Sequence, residues 1–264
     1  MPKGSAPRPP RPGPPLVAQP PPLPQSPAGA DAPAPAIKGF LETSFIDWRG
    51  AIAAVVFLPG CNFACPFCHN HQLITGPEIY QTLALADVLA RLTPFVGWVD
   101  GVVISGGEPT LHPGLPALCQ AFRQAGFKVK LDSNGARPAV IEDLAGRGLI
   151  DLVAMDLKAP LQDLAYCRAA GRPVDLAAVR RSVDFLIHSG LAHEFRSTIW
   201  PAWHGEEELN QMAADLEGCQ AWTLQALNPE NVWRREELGP GVPYTAAEVA
   251  HLQNTIATPA CRVR

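Results

Sequence analysis

Past residue 36 the chain alternates between short apolar runs and longer segments of helical periodicity. Residues 51–58 are almost wholly apolar, the pattern of a strand covered on both faces. Further strands are predicted at 101–104, 127–131, 152–155, 194–199 and 221–227. Between and after them, residues 82–92, 115–125, 138–145, 176–188, 206–216 and 245–256 carry apolar residues at helical spacing. Gly126 and Gly190 stop two of these helices, Pro138 opens one in its first turn, and Thr245 is placed as an N-cap. Six strands alternating with helices predict an α/β fold with a parallel sheet and right-handed crossovers. Roughly 225 residues fall short of the usual eight-stranded barrel. The expectation is therefore a partial, TIM-like (β/α)6 barrel; periodicity leaves a flat doubly wound sheet open as the alternative.

Residues 1–36 are a different regime, with proline at 14 positions. Such a stretch cannot bury a core and predicts a disordered tail of polyproline II character. Arg8 and Arg11 would suit a proline-reading partner, but composition alone favours an inert tail. The stretch lacks the apolar core of a secretory signal. The folded domain is expected to span 37–264. The chain is 47% hydrophobic and 17% charged, with a formal net charge of −4. It lacks the basic footprint of a nucleic-acid binder, and no apolar run reaches the length of a membrane span. Neither nucleic acid nor membrane is an expected partner. Seven cysteines, three of them clustered, suit a reducing, cytoplasmic setting rather than a disulfide framework. Cys119, Cys167, Cys219 and Cys261 read as ordinary core or surface residues.

The candidate chemistry starts at Cys61, Cys65 and Cys68, directly after the 51–58 strand and Pro59-Gly60. Three soft thiolates on one tight loop suit an iron–sulfur cube with one iron left open to a ligand. Structural zinc is the alternative, because His69 and His71 lie beside the thiols. The other polar motifs also follow predicted strand ends, the edge where α/β folds bind ligands. A zinc knuckle needs no such convergence. Gly106 and Gly107 would let backbone approach a ligand, and Glu108 would fix an ammonium group, although a plain turn reads similarly. Asp132, Ser133 and Asn134 read equally as a turn and as ribose contacts. Asp156 and Lys158 share one side of a strand, as an ion pair or as ligand contacts. Arg196, in an otherwise apolar strand, demands a buried anionic partner, which a ligand carboxylate would supply. Trp200, Trp203 and His204 follow that strand and read as packing or partner docking.

The motif set resembles the radical S-adenosylmethionine superfamily. Cys61-x3-Cys65-x2-Cys68, with Phe67 before the third cysteine, matches its central motif, and Gly106-Gly107-Glu108 matches its second. With residues 39–47, 128–135 and 155–160, the text from about 37 to 229 resembles the longer type of anaerobic ribonucleoside-triphosphate reductase activating proteins, relatives of the pyruvate formate-lyase activating enzymes. The resemblance implies a [4Fe–4S] cluster on Cys61, Cys65 and Cys68, with S-adenosylmethionine chelating the fourth iron. It implies cofactor contacts from Gly106, Gly107 and Glu108 to the amine and from Asp132, Ser133 and Asn134 to the ribose. Arg196 would meet the carboxylate, and Phe67 and His69 the adenine; Asp156 and Lys158 complete the set. One electron, from a flavodoxin- or ferredoxin-type donor, would yield a 5′-deoxyadenosyl radical that abstracts hydrogen from a backbone glycine of a partner glycyl radical enzyme, with anaerobic ribonucleotide reductase as the expected partner.

Two positions depart from the family. Asp47-Trp48-Arg49-Gly50 replaces the Asp-x-Pro-Gly of many relatives and is expected to alter the rim. Leu227-Asn228-Pro229 lacks a histidine that some activases place near the cofactor. Two other functions remain open: a radical enzyme acting on a small molecule or another peptide, and a non-enzymatic zinc or electron-transfer protein.

Overall fold

The computed structural model describes residues 32–256 and 262–263. The tail expected over 1–36 lies outside the described residues up to Asp31; residues 32–36 have no regular structure, and the Pro33 carbonyl lies against Gly114. In chain order the strands are β1 (Gly39–Ser44), β2 (Ala53–Leu58), β3 (Gly101–Gly106), β4 (Lys128–Ser133), β5 (Leu152–Asp156), β6 (Ala192–Ile199), β7 (Ala221–Ala226) and β8 (Arg262–Val263). The helices are α1 (Gln72–Thr75), α2 (Leu85–Leu92), α3 (Leu115–Gln124), α4 (Pro138–Gly146), α5 (Asp163–Ala170), α6 (Leu176–His188), α7 (Glu206–Asp215) and α8 (Ala246–Thr255). No helix among the described residues is long and apolar enough to cross a membrane.

Among the described residues one sheet holds all eight strands in sequence order; β1 pairs antiparallel with β2, and every later pair is parallel. A doubly wound sheet reverses its strand order at a switch point. This sheet never reverses, so it winds one way, as a partial barrel does, and the flat alternative falls.

The two faces divide the chemistry. In β6, His193, Phe195, Ser197 and Ile199 are buried, while Glu194, Arg196 and Thr198 alternate with them and keep some exposure. Ala54, Val56, Leu58, Val102, Ile104, Val129, Leu131, Val153, Met155, Phe195, Trp222 and Leu224 belong to the large apolar core, together with the buried residues of the helices. The opposite face carries only a small apolar cluster of Trp48, Ala53, Val55 and Val103. The apolar core therefore lies between sheet and helices, and the lumen is left for polar groups.

Trp48 closes the end of the lumen where the strands begin. It packs beside Ala53 and Gly101, the first residues of β2 and β3, and lines a cavity of about 320 Å³ with Arg49, Leu152, His193, Glu194, Gln220 and Ala221. The expectation that residues 47–50 alter the rim is thus corrected: they plug the opposite end. The reason is local. Asp47 accepts the Ser44 hydroxyl at 2.5 Å and its carbonyl accepts Lys130 Nζ from inside the barrel, which turns Trp48 inward.

The predicted elements are present with small shifts. The helix expected from residue 82 starts at Leu85 because Leu83 forms an antiparallel bridge with Ile37. β1 was hidden by its exposed edge position, and α5 by its shortness and a weak apolar stripe that leaves Leu164 89% exposed. Cys219, expected to be an ordinary residue, is disulfide-bonded.

A Cβ on Gly101 would lie 2.6 Å from the Trp48 ring and 2.7 Å from the Lys128 carbonyl oxygen, a backbone atom that cannot swing aside. Gly101→Ala is expected to cost about 1–3 kcal/mol by overpacking, read from the urea midpoint; an unchanged midpoint would show that the plug is loose.

Candidate functional site

The cysteine loop leaves β2 at the open end of the barrel, and neighbouring strand ends fasten it. Glu108 N–H donates to the Gly60 carbonyl at 2.8 Å, and Gly107 N–H to Leu58 at 2.8 Å, so the β2–β3 pairing runs on to the residue before Cys61. A Cβ on Gly107 would stand 1.9 Å from the Gly60 oxygen; only glycine permits this approach. Asn70 Nδ2 donates to the Gly106 carbonyl at 3.1 Å. Ala64 N–H donates to Ala170, the last residue of α5, at 2.8 Å. Arg234, past β7, donates its N–H to the Pro66 carbonyl at 2.9 Å and its guanidinium to the Ala64 carbonyl.

The three thiols are buried or half-buried and free. Burial raises the Cys61 thiol well above its ordinary range, with nearby Glu108 adding to the effect. Burial pushes Cys65 up to about 11 against the pull of Lys158, and raises Cys68 against the same pull. Iron takes thiolates, so binding must displace these protons. Cys61 Sγ already accepts from Phe63 N–H at 3.3 Å and from Asn134 Nδ2 at 3.8 Å, contacts that favour the anion. Among the described residues, no three His, Cys, Asp or Glu side chains converge tightly enough to hold one ion. A cube binds each thiolate on a different iron and needs no shared centre. Three soft thiolates on one short loop are a donor set that suits such a cube.

Glu108 is 1% exposed and fully engaged. Its Oε1 accepts from the Thr110 N–H, the Thr110 hydroxyl and the Ser133 hydroxyl at 3.1, 2.5 and 2.9 Å, and its Oε2 from the Asn134 N–H at 2.7 Å. Burial raises its pKa despite these donors. In this arrangement Glu108 locks the β3 and β4 ends together. Asn134 then reaches the cysteine loop, donating to Asn62 Oδ1 at 2.8 Å.

Below the loop, the lumen holds an alternating column of charge. Lys130 Nζ lies 2.9 Å from Glu194 and 3.7 Å from Asp132; Arg196 bonds Asp132 at 3.3 Å and Asp156 at 3.0 Å; Lys158 bonds Asp156 at 2.8 Å. Ser105 donates to Asp132 at 3.0 Å. The sheet register makes this possible, since Asp156 is opposite Arg196, and Ala154 is opposite both Asp132 and Glu194. The anionic partners that Arg196 demanded are thus the protein's own aspartates. Burial works against ionised Asp156, but Lys158 and Arg196 outweigh it and hold it down to about 2. Burial likewise opposes the Lys158 charge, which Asp156 and Cys65 more than restore. Burial raises Asp132 against Arg196 and Lys130.

Of the aromatic candidates, Phe67 is buried, edge-on to Trp203 at 5.7 Å and 5.8 Å from Lys158 Nζ. His69 is exposed and bonds the Asn228 carbonyl at 2.9 Å, so the end of β7 contributes a backbone atom where a histidine was sought. His204 is fully buried; its Nδ1 accepts from Trp200 N–H at 3.1 Å, so its Nε2 donates to the Lys158 carbonyl at 2.9 Å. Packing is its role, and Trp203 is likewise buried.

Sequence reading missed Lys130, Glu194 and Arg234. The first two had a signal: Lys130/Asp132, Asp156/Lys158 and Glu194/Arg196 are opposite charges two apart at three successive strands, hence on one face. Arg234 had none.

Comparison with known proteins agrees with this geometry. The family model of the Radical SAM superfamily matches residues 55–213. A Methanocaldococcus jannaschii protein named "Putative glycyl-radical enzyme activating enzyme MJ1227" is 30% identical over 204 residues, 76% of this chain and 83% of its own. A 7-carboxy-7-deazaguanine synthase of Neisseria meningitidis is 34% identical over 93 residues, 35% of this chain and 41% of its own. The fold is shared with a structure of TYW1 with a lysine–pyruvate adduct bound, at TM-score 0.59 and 16% identity over 79% of this chain and 74% of that one.

Lys130 is 1% exposed, and removing it takes the ion-pair partner from Glu194 and leaves Asp132 to Arg196 and Ser105. Lys130→Met is expected to lose about 3–5 kcal/mol of stability, measured by urea unfolding; a loss under about 1 kcal/mol would mean that the column is solvated. Burial lowers the His204 pKa, so neutral His204 contributes stability above its unfolded value near 6.5 that fades as pH falls below it. The stability gap between wild type and His204→Asn should therefore narrow between pH 7.5 and 5, as read from paired denaturation curves at about those pH values.

Proposed function

Because the chain belongs to the radical SAM superfamily, we propose that it is an activating enzyme that uses a [4Fe–4S] cluster and S-adenosylmethionine to place a radical on a backbone glycine of a partner glycyl radical enzyme. One observation carries the reading: the three cysteines are held at the open mouth of a partial barrel by the same glycine pair and Asn134 that the cofactor would meet. Cys61, Cys65 and Cys68 would hold the cluster. Bound together, cluster and cofactor supply one-electron cleavage of a sulfonium.

The protein's part is orientation and exclusion of competing reactions. Gly106 and Gly107 present backbone close to the loop, with Glu108 setting their position and that of Ser133 and Asn134. Asp132, Asp156, Lys158 and Arg196 offer fixed charges of both signs to the zwitterionic end of the cofactor, and Phe67 and His69 border the same mouth. Trp48 seals the far end, so substrate enters beside the cysteines. A flexible peptide loop bearing a glycine suits that entry. The relative that spans most of this chain is named for glycyl-radical activation, which supports the substrate class. Anaerobic ribonucleotide reductase is the proposed partner and a flavodoxin- or ferredoxin-type protein the proposed donor. The second reading is a small-molecule substrate, favoured by the likeness to a deazaguanine synthase over about a third of the chain.

After anaerobic loading with iron and sulfide and reduction, the wild type is expected to release 5′-deoxyadenosine, and Cys65→Ala to bind no cluster, since two thiolates do not hold a cube. Arg196→Ala should keep the cluster and weaken cofactor binding. A glycyl radical signal on the partner by electron paramagnetic resonance would support activation. Deoxyadenosine without that signal turns the assignment to the small-molecule reading, and zinc without labile sulfide defeats both.

A further inference from the structure

We infer that Trp200 is a substrate contact: its indole N–H, sheltered beneath the strip Gly239-Pro240-Gly241, is uncovered as a glycine-bearing peptide enters and donates to a backbone carbonyl of that peptide. This rests on the reading that the substrate is a peptide loop of a partner enzyme. Trp200 directly follows β6, so it stands at the open end of the barrel. Its carbonyl accepts from Trp203 N–H at 3.0 Å and from His204 N–H at 2.9 Å, which closes a tight turn. Trp203 packs on Phe67, the neighbour of Cys68, at 5.7 Å, and His204 Nε2 donates to the Lys158 carbonyl at 2.9 Å. The turn is thus tied both to the cysteine loop and to the segment after β5.

Trp200 is 4% exposed, yet its Nε1 has no hydrogen-bond partner. An unpaired interior donor is costly, and phenylalanine would pack there without it. Trp203 Nε1 is unpaired too, but that ring is gripped by Phe67 and by the Arg168 guanidinium, 4.9 Å from its centre. What covers Trp200 is of another kind. A Cβ on Gly241 would lie 3.3 Å from the Trp200 ring carbons and 3.5 Å from Nε1, so this glycine rests on the edge that carries the N–H. A Cβ on Gly239 would lie 3.7 Å from Ala202, on the same turn. The strip is fastened at its ends, where Leu238 is buried and the Tyr244 hydroxyl donates to the His204 carbonyl at 2.8 Å. Between them residues 239–243 are all exposed, and among the described residues they make no hydrogen bond or ion pair. A segment with so few contacts opens at small cost, and Gly239, at φ +75°, supplies a hinge without a Cβ. Lifting it bares an apolar ring edge with one N–H donor. A glycine-bearing peptide offers the complement: carbonyls that need donors, on a backbone with no side chain to hold it off.

The test uses the cluster-loaded full chain, with anaerobic ribonucleotide reductase as the probe. Trp200→benzothienylalanine keeps the ring outline and removes the N–H. Its iron, sulfide and partner-free release of 5′-deoxyadenosine should match wild type, and without cluster it should unfold no sooner in urea. Its KM for the reductase, read from glycyl radical formed against reductase concentration, should rise about tenfold with kcat unchanged. Trp200→Phe should show the same split. In wild type labelled with 15N-tryptophan, the indole signal absent from Trp200→Phe should move downfield when a synthetic peptide of the reductase's glycine loop is added. An equal KM in wild type and both variants, or an indole signal that the peptide leaves in place, overturns the inference and leaves the activase reading standing. Partner-free deoxyadenosine falling in step with the KM change also overturns it, since Trp200 would then serve the cofactor. Deoxyadenosine from wild type with no glycyl radical on the reductase removes the activase reading and the inference together.

Discussion

The structure depends on a column of opposite charges inside the barrel. Glu194, Lys130, Asp132, Arg196, Asp156 and Lys158 alternate in sign along contacts of 2.8–3.7 Å and sum to zero. None would be tolerated there alone, because a low-dielectric site charges heavily for an unpaired ion. Each therefore needs its neighbours on the adjoining strand, and β4, β5 and β6 must hold their register. A slip of one residue would turn every member of one strand toward the helices. The same requirement decides where the apolar core goes. With the lumen given to ions, the hydrophobic surface of the sheet is its outer face, under the helices.

The column also joins the two ends of the molecule. At the closed end Lys130 holds the Asp47 carbonyl and thereby the turn that drives Trp48 inward. At the open end Lys158 stands over Phe67 of the cysteine loop and opposes the rise that burial imposes on the Cys65 and Cys68 thiols. The charge nearest the thiols is thus supplied by a side chain whose own charge is secured by Asp156. On the proposal that these thiols hold the cluster, the loaded site would place negative charge in a buried pocket, and fixed cations would limit the penalty.

The cysteine loop is held mostly by backbone. Its carbonyls and amides pair with β3, with the end of α5 and with the segment past β7, leaving the side chains free for the cofactor. Glu108 illustrates the division of labour. Its position after a glycine pair suggests a ligand contact, whereas its carboxylate is spent on Thr110, Ser133 and Asn134. It shapes the mouth from beneath, and the glycines form the surface.

Sequence alone was enough for the family and for most of the elements, the edge strand β1 and the short α5 excepted. Apolar runs and helical periods are local consequences of burial, and the cysteine spacing that marks the family lies within one short loop. Opposite charges two apart at three strands also announce a shared polar face. Tertiary structure decided what requires distant residues to meet. It chose a one-way sheet over a doubly wound one, sent Trp48 to the floor instead of the rim, and gave Arg196 two aspartates as partners. It brought Tyr166 and Arg234 to the cysteine loop from other parts of the chain. Periodicity records which face of an element is buried and says nothing of what buries it, so contacts across 100 or more residues exist only once the barrel has closed around them.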